Sequence, residues 1–123
     1  MRGLAAALLA LAPILADASA RLDRPAAVLG GLDKYSGAAE SFTAEVGRAT
    51  PFHRLEVTVR ACRTADDDLE DAAAFLEIVD ARNPDRPAFS GWMFSRYPAA
   101  AALDHPRYDV WVAACSTESA EAS

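Results

Sequence analysis

Strict alternation of apolar and polar side chains is clearest between Arg54 and Arg63. Leu55, Val57, Val59 and Ala61 share one parity there; Glu56, Thr58 and Arg60 share the other. Successive side chains of a strand point to opposite faces, so the spacing predicts a strand buried on one face and solvated on the other. The period recurs where Phe42, Ala44 and Val46 alternate with Ser41, Thr43 and Glu45, ended by Gly47. Val28 to Leu32 predicts a short strand weakened by Gly30 and Gly31, with a turn over Lys34 to Gly37. The acidic stretch from Thr64 to Asp71 reads as a hairpin. Ala73 to Asp80 reads as the strand after it, because Phe75, Ile78 and Val79 favour extended backbone. Asn83 to Pro87 continues neither helix nor strand, since Pro84 and Pro87 lack amide donors.

Two further strands are predicted over Phe89 to Phe94 and Tyr108 to Cys115. Between them, the alanines of Pro98 to Asp104 predict one or two helical turns, with Pro98 in the first. Tyr108, Val110 and Val112 oppose Asp109, Trp111 and Cys115, so both faces of the last strand carry bulk, which points to a central strand or a covered outer face. The polar flanks, 21–26 and 116–123, read as a disordered leader and tail. The pattern thus predicts a single all-β domain over 27–115. It is a small sandwich or partly open barrel of about six to seven strands with one short helix.

The N-terminus changes the picture of where this domain works. Arg2 precedes an uncharged run from Gly3 to Leu15, and Ala18 and Ala20 fit the small-residue pattern of signal peptidase. Residues 1–20 are therefore expected to form a signal-peptide helix that is cleaved on export; an uncleaved anchor or a buried helix is the alternative. No cysteine near the cleavage site suggests a lipid anchor. The expected location is the periplasm, with no membrane span after cleavage. About one hundred residues remain, enough for one modest core.

The net charge is −6, and the chain has a single lysine, Lys34. An acidic surface repels phosphate backbones and anionic bilayers, so nucleic acid is not an expected partner. Cys62 and Cys115 are the only cysteines. In an oxidising compartment they are expected to pair, which would stabilise the fold by roughly 4 kcal/mol. Two separate buried thiols are the alternative. Cys62 falls on the polar parity of its strand. A bond there requires the strand end, the outer face, or a bulge that resets the alternation. Both cysteines end their strands, so pairing brings those ends together at one end of the domain.

Five stretches resemble a family of small exported bacterial proteins known only as domain of unknown function 2155. They are Gly31 to Lys34 with Gly37, Leu55 to Cys62, Ala74 to Ile78, Phe89 to Phe94, and His105-Pro106 through Tyr108 to Val112 and Cys115. The resemblance implies export, a single domain and a cysteine pair. Family members tend to be encoded near accessory components of respiratory complex I, which implies attachment to that complex from the periplasmic side. Arg96-Tyr97 before Pro98 and the Asp-rich loop after Cys62 depart from the family pattern, which usually has small residues and prolines there.

No residue pattern defines a catalytic, cofactor or metal site. Asp66 to Asp71 lacks the alternating ligands and glycine of a calcium loop, and reads as a solvated loop. His53 and His105 stand at no zinc spacing. Ser90, His105 and Asp109 could be drawn as a triad, but no nucleophile elbow is present. The aromatics are more telling. Trp92, Phe94, Tyr97 and Trp111, with Arg96 at the rim, are either core or an exposed patch of the kind that anchors protein contacts. The expected function is a binding or structural module docking on an envelope or membrane protein complex. The alternative is a small-ligand or envelope-polymer binder; an enzyme is the least expected.

Overall fold

A computed structural model describes residues 21–118. The predicted signal peptide and positions 119–123 of the predicted tail lie outside the described residues. The described residues form eight strands: β1 (Leu22–Asp23), β2 (Ala26–Asp33), β3 (Ala38–Glu45), β4 (Ala49–Phe52), β5 (Leu55–Ala65), β6 (Asp68–Asp80), β7 (Pro87–Phe94) and β8 (Tyr108–Ser116). One antiparallel sheet runs β1-β5-β6-β7, with β4 also paired to β5; the other runs β3-β2-β8. The sheets face each other as a sandwich rather than closing into a barrel. Leu29, Val57, Val59, Leu76, Ile78, Met93, Val110 and Val112 fill the space between them. The predicted helix is a single 3-10 turn at Pro98–Ala100, in the crossover from β7 to β8.

Several expectations need correction. The leader is not disordered: Leu22 pairs with Thr64 and Asp23 with Arg63, and β2 begins at Ala26. Arg24 pins it, its backbone N–H donating to the Cys62 carbonyl at 2.7 Å and its Nε to Thr64 Oγ1 at 2.9 Å. A two-residue strand is too short to show a period. Pro87 does not block β7 but begins it, at a sheet edge where a missing donor costs little. β4 was not expected. It turns into β5 through His53, whose φ of 53° is unusual for a non-glycine residue. The His53 ring stacks on Tyr108 with centroids 5.7 Å apart and meets Phe52 edge-on at 4.6 Å. Finally, β8 is neither central nor covered on its outer face; it is an edge strand paired with β2, and Ser116 is its last residue rather than tail.

The cysteine parity problem has one solution, used twice. The register of β5 against β6 slips between Val59 and Ala61, leaving Arg60 as an extra residue. The register of β8 against β2 slips likewise, leaving Ala113 extra between Val112 and Ala114. Each bulge resets the alternation, so the inward set becomes Leu55, Val57, Val59, Cys62 and Thr64 on β5 and Tyr108, Val110, Val112 and Cys115 on β8. Cys62 and Cys115 are bonded, with Cα atoms 6.0 Å apart, and both are buried. The bond joins the two sheets across the core.

Candidate functional site

The five candidate docking residues do not form one patch. Trp92 and Phe94 lie on the outer face of the five-stranded sheet, while Met93 between them is buried. Trp92 is half-buried: Phe75 meets it edge-on at 5.6 Å and the Arg63 guanidinium lies over its ring at 5.5 Å. Arg96 is tied to the β5–β6 hairpin, 2.8 Å from Asp68 and 3.4 Å from Asp71. Tyr97 opens the crossover and is 68% exposed. Trp111 stands on the opposite side of the sandwich, on the outer face of β8, and is 37% exposed.

Trp111 owes its position to a pair of glycines. Gly30 lies opposite it in the ladder, and any Cβ there would run into the indole. Gly31, facing the core, makes the same allowance for the Phe52 ring. Beside Trp111 lies an apolar cleft of about 450 Å³, lined by Pro98, Ala101, Ala102 and Leu103 of the crossover and Asp109, Val110 and Trp111 of β8. The small alanines leave the space open, and the buried Leu103 anchors the crossover below it.

At the end of the sandwich opposite the disulfide, charged residues from distant segments converge. Arg107 donates to both oxygens of the buried Asp33 at 3.2 and 3.0 Å. These bonds, helped by the Tyr35 amide, outweigh burial and hold the Asp33 carboxyl down at about 2. Arg54 donates to both oxygens of Asp80 at 2.7 and 3.0 Å, and His105 Nε2 lies 2.8 Å from Oδ2. Arg54 first, then His105, keep the Asp80 carboxyl well below the usual carboxylate range despite desolvation. His105 Nδ1 accepts from the amides of Arg107 and Tyr108 at 3.0 and 3.2 Å. An Nδ1 that accepts leaves the proton of a neutral ring on Nε2, where it donates to Asp80.

Both His105 nitrogens are engaged within the protein, Nε2 with Asp80 and Nδ1 with two backbone amides. Asp109, drawn above as a third triad member, lies instead 3.4 Å from Lys34, whose Nζ also donates to the His105 carbonyl at 2.6 Å. Of the acidic run, Asp68 and Asp71 are bound by Arg96, and Asp71 also by Arg21. Among the described residues, no three His, Cys, Asp or Glu side chains come together as metal ligands. Sequence reasoning missed the Asp33–Arg107 and Arg54–Asp80 pairs. Their members are 74 and 26 residues apart, and no local spacing marks them.

Fold and site define a class of protein: a small two-sheet β-sandwich, tied by a disulfide at one end and an ion-pair network at the other, with an apolar cleft at a sheet edge. The chain belongs to DUF2155, an uncharacterised protein family conserved in bacteria, whose profile matches residues 27–115. No curated protein and no solved structure matches it.

Proposed function

We propose that this protein is an exported, periplasmic binding module that docks on a protein complex of the bacterial envelope, with respiratory complex I as the specific target. The observation that carries the reading is Trp111, exposed beside an apolar cleft and seated against Gly30. Exposed Trp residues next to an apolar depression are the usual anchors of protein interfaces. The disulfide fits an oxidising compartment. A small-ligand site fits less well, because such pockets need converging polar groups. Here the one charged lining residue, Asp109, already faces Lys34.

The test compares tagged full-length protein with Trp111→Ala in pull-downs from gently solubilised membranes. Complex I subunits captured by the parent and lost with the variant, at unchanged circular dichroism, would support the reading. Recovery of free protein alone would count against docking. Equal capture by both would remove Trp111 from the interface.

A further inference from the structure

Five strands end a sheet, and all but one of them are blunted. β1 has two residues, β4 has four with Pro51 among them, and β3 carries Glu40 and Glu45. On β8, Val110 and Val112 are buried. Short length, proline, charge and cover are the usual protections of a sheet edge. β7 is different. Pro87 and the register slip beside Ala88 interrupt only its start, and Phe89 to Phe94 carry no charge.

The Ser95 amide donates to the Ala72 carbonyl at 2.9 Å, one step beyond the Ala73↔Phe94 pair. Opposed residues of an antiparallel ladder alternate between pairs that exchange hydrogen bonds and pairs that do not. Met93 and Gly91 therefore bond to β6, while Phe94, Trp92 and Ser90 turn their backbone groups away from it. The Phe94 carbonyl fixes the phase, because it accepts from the Tyr97 amide at 3.3 Å in the following turn. Among the described residues, no hydrogen bond reaches the outward backbone groups of Ser90 and Trp92. Ser90 is exposed and Trp92 half-buried, so solvent reaches this stretch.

We propose that this edge pairs with β7 of a second copy of the chain, antiparallel about a two-fold axis at Gly91. Ser90 of each copy then lies opposite Trp92 of the other, and each such pair exchanges both backbone hydrogen bonds. The two β1-β5-β6-β7 sheets join into one. Charge permits this partner: although each chain carries −6, no carboxylate lies on the paired stretch. At the rim, the same register brings Arg86 near Asp68 of the second copy. Arg86 has no carboxylate partner among the described residues. Asp68 is half-exposed, held beside the end of β7 by Arg96 at 2.8 Å. One strand pair buries less than a standard interface of about 1,600 Å², so the dimer is weak and concentration-dependent.

The test is sedimentation of the full oxidised chain over about a hundredfold range of concentration, with Ser90→Pro as the variant. Proline at position 90 removes only an outward donor, so the ladder to β6 survives. The parent should pass from monomer to dimer, and Ser90→Pro should weaken that step at least about tenfold. Amide exchange on the parent alone is a second readout: the Ser90 and Trp92 amides should slow as concentration rises. A monomer throughout, or a dimer that Ser90→Pro leaves intact, would overturn the pairing. So would exchange at Ser90 and Trp92 that is indifferent to concentration. None of these results bears on the Trp111 pull-down, so the docking reading stands or falls separately.

Discussion

The indole of Trp111 rests against the backbone of Gly30 across the β2–β8 ladder, in space that any larger residue at position 30 would occupy. Gly30→Ala should therefore push the ring off the outer face. The ring is exposed and can swing away, so the stability change should stay within about 0.5 kcal/mol. Gly31→Ala should be worse, by roughly 1–3 kcal/mol, because Phe52 is sealed in the core and has nowhere to go. Urea denaturation of the two variants measures the contrast, and equal losses would contradict it.

Cys62→Ser should cost about 2–5 kcal/mol, since it releases a link spanning 53 residues. Thermal melting with and without reductant reads the effect; an unchanged melting temperature would argue that no bond forms. Deleting Arg60 probes the bulge itself. Without the extra residue, regular alternation runs Val59 inward, Ala61 outward and Cys62 inward, so the disulfide should still form; mass spectrometry finding both thiols free would contradict the bulge assignment.

Acid should destabilise the protein in a defined window. Asp33 and Asp80 have depressed carboxyl pKa values in the fold. Their contribution is fully present above the unfolded carboxylate range near 4. For Asp33 it is lost as pH falls from about 4 through its folded value of about 2. Stability measured at pH 7, 4, 3 and 2 should hold down to the unfolded range and then drop. Asp33→Asn should flatten the drop, and a slope identical to the parent's would refute the assignment.

His105→Ala removes the acceptor for the Arg107 and Tyr108 amides as well as a donor to Asp80. Orphaned buried amides make this costly, roughly 1–3 kcal/mol. Nitrogen chemical shifts of the parent should report the Nε2–H tautomer, and the opposite tautomer would invalidate the hydrogen-bond pattern.

Much of the strand content was legible in the sequence. The alternation in Phe42–Val46 and Arg54–Arg63 followed from burial of one face, and it located β3 and β5. β1 and β4 were not legible, because strands of two and four residues carry no usable period and β4 depends on His53 being held at positive φ by Phe52 and Tyr108. The aromatic candidates stood out in the sequence by residue type, but the placement of Trp92 and Trp111 on opposite faces of the sandwich depends on which sheet each strand joins.

The sequence by itself determined the all-β class, the cysteine pair and the family, because these rest on local periodicity, composition and contiguous motifs. Only the tertiary structure decided that two bulges turn the cysteines inward, that β8 is an edge, and that Asp33 meets Arg107 and Arg54 meets Asp80. Those outcomes depend on strand order and register, which are set by packing between segments far apart in the chain.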